Sequence, residues 1–253
     1  MKVYEIIFSP TGGTKKVADI ITNKLCKDSS LIDLTDSNFD FGAVSFEKED
    51  ICVVSVPSYA GRVPQTATER LCQMKGAGAK CILTIVYGNR AYEDTMFELK
   101  DIMTEAGFQP IAAIAALAEH SIMHQFATGR PDEADCKELE AYVEKIQDKL
   151  KQEVSLEELI VPGNKPYKPY HCVPMKPETS KACTDCGACV TACPVGAISE
   201  DTKELDEESC ISCMRCIGVC PANARAIRKE ALEALVQRVQ AACQGRKENE
   251  LFL

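Results

Sequence analysis

The sequence predicts an α/β fold, with a doubly wound parallel sheet in residues 1–153 and a small α+β domain after it. Apolar segments of strand length alternate with amphipathic segments of helix length through the first part of the chain. Prolines then cluster in residues 154–180, which indicates a semi-rigid linker. Two runs of closely spaced cysteines follow in residues 181–230, and residues 231–253 form a C-terminal helix and tail. The 253 residues, 45% of them hydrophobic, suffice for two folded domains.

Five strands and five helices are predicted in chain order. Each strand is a short apolar run rich in β-branched residues, such as DICVVSV at 50–56. Each helix repeats apolar residues at a spacing of three or four. The strands are expected at 2–8, 31–34, 50–56, 80–87 and 110–117, and the helices at about 15–26, 65–74, 93–107, 132–151 and 229–243.

Three loops in this arrangement are candidates for a binding site. Alternating strands and helices make the sheet parallel, and five strands with these connections suit the order 2-1-3-4-5. In such sheets ligands bind at the carboxyl ends of the strands, where strands one and three diverge. The loops at 9–14, 57–64 and 88–92 follow the first, third and fourth strands. We therefore expect them to meet at one place.

The loop at 9–14 reads SPTGGT and leads from a strand directly into a helix. Backbone N–H groups at a helix N-terminus, assisted by hydroxyl groups, form a cradle for phosphate. The loop lacks both the Gly-Lys-Ser/Thr ending of a Walker loop and the G-x-G-x-x-G dinucleotide pattern. The alternative interpretation is an ordinary helix start that is capped by Thr11 or Thr14.

This loop resembles the phosphate loop of flavodoxins, S/T-x-T-G-x-T, and the loops with Tyr59 and Tyr92 are similar to the two flavin-ring loops of that family. The resemblance covers roughly residues 1–150 and implies a flavodoxin-like fold that binds FMN. It implies phosphate contacts from Ser9, Thr11, Gly12, Gly13 and Thr14. It implies ring contacts from Pro57, Ser58, Tyr59, Ala60, Gly61, Tyr87, Gly88, Asn89, Arg90 and Tyr92. Tyr92 is expected to stack on the ring, with Tyr59 on the other face or at the edge.

Four basic residues near these loops have two interpretations each. Flavodoxin ring loops are usually acidic, whereas this chain has Arg62 and Arg90 there. One of them is expected to stabilise the reduced flavin near N1, and the alternative is an arginine that pairs at the protein surface. The long loop 119–131, a candidate lid or docking surface, carries His120 and His124. A histidine there is a candidate proton relay, or it is hydrogen-bonded within its loop.

The two cysteine runs each have the spacing C-x2-C-x2-C-x3-C-P, and the second starts 27 residues after the first. A cubane iron–sulfur cluster needs four converging thiolates, and a turn with two residues between cysteines supplies three of them. The run is the pattern of bacterial ferredoxins, in which the fourth cysteine ligates the other cluster. The resemblance assigns one 4Fe–4S cluster to Cys183, Cys186, Cys189 and Cys220. It assigns the other to Cys210, Cys213, Cys216 and Cys193.

Zinc and disulfides are the alternative uses of such cysteines. Zinc sites take two C-x2-C pairs about a dozen or more residues apart and do not need a third cysteine at this spacing. Disulfides suit small secreted domains, and the N-terminus lacks the features of a signal peptide. Seven cysteines lie outside the runs: Cys26, Cys52, Cys72, Cys81, Cys136, Cys172 and Cys243. Most of them fit small buried hydrophobic residues in a reducing cytosol, and neither Cys172 nor the neighbouring His171 is needed as a ligand.

Charge and hydropathy exclude two function classes. The net charge of −9 disfavours a nucleic-acid binder and is compatible with docking to basic surfaces of redox proteins. The sequence contains no run of eighteen apolar residues, so no membrane span is predicted. We therefore expect a cytoplasmic protein, and its sequence is compatible with a dimer.

Taken together, the two resemblances make the chain similar to flavodoxin–ferredoxin fusion flavoproteins of anaerobic bacteria and archaea. They imply electron transfer through FMN and two 4Fe–4S clusters, with an unidentified redox partner protein as donor or acceptor. Two alternatives stay open: an FMN-dependent reductase of a small molecule that the clusters supply, and an iron–sulfur redox sensor. The sequence shows neither a nicotinamide-binding fingerprint nor a nucleophile–base pair, so it gives no indication of another chemistry.

Overall fold

A computed structural model describes residues 1–151, 158–171, 173–200 and 204–253. Its central sheet contains the parallel strands β1 (Val3–Ile7), β2 (Ser29–Asp33), β3 (Ile51–Pro57), β4 (Lys80–Tyr87) and β5 (Gln109–Leu117). Their order is β2-β1-β3-β4-β5, which confirms the predicted doubly wound, flavodoxin-like fold. The predicted boundary between residues 153 and 154 and the spare Cys172 lie outside the described residues.

Four helices cover both faces of this sheet: α1 (Gly13–Leu25), α2 (Gln65–Leu71), α3 (Thr95–Glu105) and α4 (Glu133–Lys151). Alternate strand residues point to opposite faces, so Tyr4 and Ile6 pack with α2 and α3, whereas Val3 packs with α1 and α4. All five residues of β1 are buried. Burial on both faces explains why the strands read as continuous apolar runs in the sequence.

The two cysteine runs fold around a pair of short helices, α5 (Ala188–Ala192) and α6 (Arg215–Gly218). The second helix starts 27 residues after the first, as the sequence repeat predicts. The strands β6 (Glu178–Thr179) and β7 (Arg225–Ala226) pair antiparallel beside them. This part is therefore the small α+β unit that the sequence predicts. No helix in the described residues has both the length and the apolar surface that crossing a bilayer requires.

The C-terminal segment returns to the first domain. Helix α7 (Lys229–Val239) continues into a 3-10 turn, Gln240–Cys243, so the predicted helix over 229–243 is α-helical only in its first part. Strand β8 (Glu250–Phe252) then pairs antiparallel with β5, with Glu250 opposite Ala115. Within the described residues the antiparallel β8 thus adds a sixth strand to the five predicted parallel strands. The short, mostly polar tail RKENELFL has no strand pattern that could have predicted this pairing.

An apolar cluster joins the two parts of the chain. It contains Ile122 and Met123 from the loop after β5, Met175 from the linker, Met214 from the second cysteine run and Leu235 from α7. All five side chains are buried. The loop at 119–131 is therefore anchored to the second part of the chain through Ile122 and Met123, while its tip stays exposed. Burial of apolar surface from four separate segments stabilises their mutual position.

Asn249 fastens the C-terminal segment to the first domain. Its buried side-chain oxygen accepts a hydrogen bond from the Leu117 N–H (3.0 Å), at the end of β5. Its amide nitrogen donates to Asp135 (3.2 Å) and Glu138 (2.6 Å). Asp135 is fully buried and also accepts from Arg130. Because every polar group in this network has a partner, its burial is tolerated and fixes one arrangement.

Replacing Asn249 by Ala should lower the free energy of unfolding by about 2–3 kcal/mol, since two buried partners, Leu117 and Asp135, and the half-buried Glu138 would lose their hydrogen bonds. Urea denaturation followed by circular dichroism measures this change. Asn38 is an exposed control, and Asn38→Ala should change stability by less than about 0.5 kcal/mol. Equal losses in the two variants would contradict the role of Asn249.

Candidate functional site

The carboxyl ends of β1, β3 and β4 open into one cavity of about 400 Å³, which we call the loop cavity. Its size falls within the roughly 300–1,000 Å³ of small-molecule sites. All three predicted loops contribute to its wall. The predicted residues on that wall are Thr11, Gly13, Thr14, Pro57, Ser58, Tyr59, Ala60, Tyr87, Gly88 and Arg90. The predicted residues that do not line it are Ser9, Gly12, Gly61, Asn89 and Tyr92.

The loop after β1 presents hydroxyl groups and a helix start to the cavity. Thr11 and Thr14 lie on the wall, and the first turn of α1 contains no acidic residue. Ser9 turns back instead, and its hydroxyl accepts a hydrogen bond from the Lys15 N–H (2.8 Å). Gly12, with φ of 85°, is the N-cap residue, so neither threonine caps the helix. A helix N-terminus with free hydroxyls beside it suits an anionic group such as phosphate.

The loop after β3 is a tight turn in which Tyr59 and Arg62 exchange backbone hydrogen bonds (2.9 and 3.1 Å). Gly61 has φ of 86°, and a Cβ there would lie 1.9 Å from an oxygen of Glu93, so this glycine serves the turn. The Arg62 guanidinium donates to both oxygens of Glu98 (2.8 and 2.7 Å) and does not line the cavity. This ion pair favours the pairing alternative for Arg62, and stabilisation of the reduced flavin by one of the two arginines stays a prediction.

Asn89 and Tyr92, in the loop after β4, hold the C-terminal segment. The Asn89 amide donates to the Cys243 carbonyl (2.6 Å). The Tyr92 hydroxyl donates to Glu250 (3.0 Å), and its ring packs edge-on against Tyr87. Tyr92 thus has protein partners at its hydroxyl and at one edge of its ring, and it does not line the loop cavity. Its stacking on a flavin ring stays a prediction.

Arg90 is the ring-loop arginine that does line the cavity. It donates to Glu93 (3.0 and 3.2 Å), which also pairs with Lys168 of the linker. Arg238 of α7 lies on the same wall. Glu119 also lines the cavity. The cations Arg90, Lys168 and Arg238 still outnumber the carboxylates Glu93 and Glu119, so the cavity has a small excess of positive charge within an acidic chain.

A further part of the cavity wall comes from segments that no sequence motif connects with the three loops. The linker, the second cysteine run and α7 contribute to it through Lys168, His171, Val173, Pro174, Ile211, Ser212, Leu235, Arg238 and Val239. The apolar face of α7 predicts that this helix packs on something, and the prolines predict a stiff linker. Neither signal identifies the surface that is covered, so sequence reasoning missed these residues.

His120 lines the loop cavity, whereas His124 does not. The Nδ1 atom of His120 accepts hydrogen bonds from the N–H groups of Ile122 (3.1 Å) and Met123 (3.3 Å). Burial lowers the pKa of His120 to about 4, so its ring is neutral at neutral pH. His124 is exposed, and its Nδ1 lies 2.8 Å from Glu119. Both histidines fit the interpretation of residues that are hydrogen-bonded within their loop.

The eight cysteines of the two runs line two separate small cavities. Cluster site A is lined by Cys183, Cys186, Cys189 and Cys220. Cluster site B is lined by Cys193, Cys210, Cys213 and Cys216. Each cavity thus has three cysteines of one run and the fourth of the other, which is the crossed grouping of the ferredoxin pattern. Across the described ranges, no three His, Cys, Asp or Glu side chains converge on a point that suits a single metal ion.

Equivalent backbone amides donate to the fourth cysteine of each run. The Ala197 N–H lies 3.3 Å from the Cys193 sulfur, and the Ala224 N–H lies 3.2 Å from the Cys220 sulfur. The amide of Ala224 is the main cause that lowers the pKa of the Cys220 thiol. Hydrogen bonds of this kind stabilise thiolates and tune iron–sulfur clusters. Both sites therefore fit a cluster that is held by four thiolates.

Cluster site B abuts the loop cavity. Ile211 and Ser212, which lie between Cys210 and Cys213, line both cavities. The Ser212 hydroxyl donates to the Val173 carbonyl (2.6 Å), so the linker fixes this dividing wall. Among the described residues, site A has no wall residue in common with the loop cavity. The two cluster sites are therefore not equivalent with respect to the first domain.

Comparison with known proteins divides the chain in the same way. Residues 182–224 match the family model of the 4Fe-4S dicluster domain. No curated protein was found to match the chain. A flavodoxin of Streptococcus pneumoniae TIGR4 is 19% identical, over 58% of this chain and 99% of its own, with a TM-score of 0.41. Flavodoxin of Megasphaera elsdenii is 21% identical, over 56% and 98%, with a TM-score of 0.39.

A third similar structure is rubredoxin oxygen:oxidoreductase from Desulfovibrio gigas. It is 14% identical, over 59% of this chain and 36% of its own, with a TM-score of 0.41. The strand order of the sheet and the dicluster match together confirm the predicted fusion of a flavodoxin-like fold with a 4Fe–4S domain.

If FMN occupies this cavity, Gly88→Ala should weaken the binding of added FMN by about fivefold or more, because overpacking costs roughly 1–3 kcal/mol and each 1.4 kcal/mol is a factor of ten. A Cβ at Gly88 would lie 2.6 Å from the Cβ and Cδ2 atoms of His120 and would displace the cavity wall. Fluorescence titration with FMN measures the affinity. Gly218→Ala is the matched control, since a Cβ there meets nothing within 4 Å. Unchanged FMN affinity in the first variant would contradict this geometry.

Proposed function

We propose that the chain transfers electrons between a redox partner protein and FMN through two 4Fe–4S clusters. FMN would occupy the loop cavity, and the clusters would occupy sites A and B. Bound FMN supplies one- or two-electron chemistry and each cubane supplies one-electron chemistry. The dicluster match supports the iron–sulfur part, and the wall of the loop cavity supports the flavin part.

The observation that most supports this proposal is that Ile211 and Ser212 line both the loop cavity and cluster site B. The segment that supplies Cys210 and Cys213 to site B also forms a side of the loop cavity. A cluster in site B and a ligand in the loop cavity would therefore be neighbours. No motion of a domain is required to bring them together.

Site A is the better candidate for exchange with a partner. Its Cys186 is exposed, whereas Cys213 and Cys216 of site B are buried. Electrons would pass between the partner and site A, then site B, then the loop cavity. Since the chain carries a net charge of −9, a partner with a basic surface would be attracted to it.

The protein's own residues position the ligand and exclude water. Thr11, Thr14 and the start of α1 would bind the phosphate. The Ser58 and Thr95 hydroxyls lie 2.7 Å apart, and Thr95 also donates to the Tyr92 carbonyl (2.6 Å), so the loops after β3 and β4 are held together. The linker and α7 cover the remaining side. Such a cover favours internal electron transfer over direct contact between the flavin and a partner protein.

Reduction of a small molecule at the flavin is the second candidate function. It is supported by Lys168 and Arg238, which add positive charge to the cavity wall from outside the three loops. Such charge would favour an anionic substrate.

Anaerobically prepared protein should contain about eight iron atoms and about one FMN per chain. With a reduced bacterial ferredoxin as the probe donor, the rate of internal flavin reduction should not depend on protein concentration, because the path lies within one chain. Metal analysis and stopped-flow absorbance measure the two quantities. Zinc in place of iron, or flavin reduction that is second order in the protein, would contradict the proposal.

A matched pair of variants tests the order of the two sites. Cys183→Ala removes a ligand of site A, and Cys213→Ala removes a ligand of site B. Electron exchange between flavin and the remaining cluster should persist in the first variant and be lost in the second. Low-temperature EPR after partial photoreduction measures this exchange. The reverse result would place site A, and not site B, beside the flavin.

A further inference from the structure

We infer that His120 is a binding residue for the flavin, as a neutral imidazole that donates its Nε2–H into the loop cavity. The inference rests on the proposed FMN site and goes beyond it, because it assigns an atom, a tautomer and a role. It also excludes the proton-relay interpretation of this histidine.

Two backbone hydrogen bonds fix the tautomer of the His120 ring. The two N–H groups of Ile122 and Met123 both point at Nδ1 of His120 (3.1 and 3.3 Å), and a backbone N–H can only donate. Nδ1 must therefore be the acceptor and carry no proton. A neutral imidazole has its single proton on the other nitrogen, so the proton lies on Nε2.

Two further contacts fix the position of His120. The His120 N–H donates to the Phe126 carbonyl (3.1 Å), so the backbone is fixed as well as the ring. The Cβ and Cδ2 atoms of His120 face the loop after β4, since a Cβ on Gly88 would come within 2.6 Å of both, and Cδ2 is the ring atom bonded to Nε2. Both residues line the cavity. Within the described residues, no protein acceptor has a hydrogen bond from Nε2, so this donor is available to a ligand.

The charged groups near His120 favour the neutral form of its ring. The ionisable groups around the ring are Glu119 and His124 of its own loop and Arg90 of the loop after β4. Glu119 is engaged by His124 (2.8 Å) and by the Gly129 N–H (2.9 Å). Burial and then the nearby His124 and Arg90 lower the pKa of His120. The surroundings therefore favour the neutral ring that the hydrogen bonds already require.

A histidine in this state is a fixed hydrogen-bond donor. A proton relay must accept a proton at one nitrogen while it releases one from the other, and Nδ1 is occupied by two backbone donors. Oxidised flavin rings carry carbonyl oxygens that accept such a bond. The role of His120 would be to orient the ring and strengthen its binding.

Nuclear magnetic resonance of protein with 15N-labelled histidine rings tests the inference, with the clusters kept oxidised. Long-range 1H–15N spectra from about pH 6 to about pH 8 should show His120 with its proton on Nε2 and no titration. Addition of FMN should shift the Nε2 signal. A proton on Nδ1, a titration in this range, or an Nε2 signal unchanged by bound FMN would overturn the inference. If FMN does not bind to the unaltered protein, the proposed function is overturned as well.

Variants distinguish the loss of the Nε2 donor of His120 from a disturbance of the turn that holds its ring. In His120→Asn the side-chain oxygen can still accept from the N–H groups of Ile122 and Met123, but the Nε2 donor is lost. The dissociation constant for FMN should rise by roughly three- to tenfold, the cost of one hydrogen bond. His124→Asn, outside the cavity wall, should leave it unchanged. Equal FMN affinity in His120→Asn and the unaltered protein, with equal circular dichroism and iron content, would overturn the inference.

Discussion

The return of the last residues to the edge of the first sheet is the constraint on which the rest of the structure depends. β8 pairs with β5, and Asn249 is buried against the end of that strand. The linker, both cysteine runs and α7 therefore lie between two attachments to one sheet. This closure keeps Ile211 and Ser212 against the loop cavity and keeps α7 across it. The arrangement of site B beside the three loops thus depends on contacts that lie far from both.

Two charged side chains add to this closure. Arg130 pairs with the fully buried Asp135, which lies under the C-terminal segment. The half-buried Arg70 on α2 donates a hydrogen bond to the carbonyl of Pro194 (2.6 Å), next to the fourth cysteine of the first run. A buried ion pair such as that of Arg130 contributes little net stability, because desolvation offsets much of its attraction. We expect both contacts to act through specificity, since a displaced second domain would leave these arginines without their partners.

Sequence patterns predict the features that depend on neighbours in the chain. The alternation of strands and helices suits the strand order, and the resemblance of the cysteine runs to bacterial ferredoxins implies the two crossed groups of cysteines. The resemblance of their loop to a flavodoxin loop implies ring contacts for Asn89 and Tyr92. Their partners, Cys243 and Glu250, lie 154 and 158 residues further along the chain. No local pattern encodes such a pairing.

The same limit applies to the cavity wall. Gly61 belongs to a flavodoxin-type loop by its position, but Glu93 fills the space beside it. Arg62 looks available in the sequence, whereas Glu98 on α3 neutralises it in the fold. In contrast, Thr11 and Thr14 follow a strand and begin a helix, so their position at the cavity could be predicted from the local order of elements.

A crystal structure of the anaerobic holoprotein, with data collected at the iron absorption edge, tests the proposed arrangement most directly. We expect two iron clusters, one at Cys183, Cys186, Cys189 and Cys220 and one at Cys193, Cys210, Cys213 and Cys216. We expect FMN in the loop cavity, with Ile211 and Ser212 between the flavin and the second cluster. A flavin outside this cavity, or one that is nearer to the first cluster, would contradict the proposed arrangement.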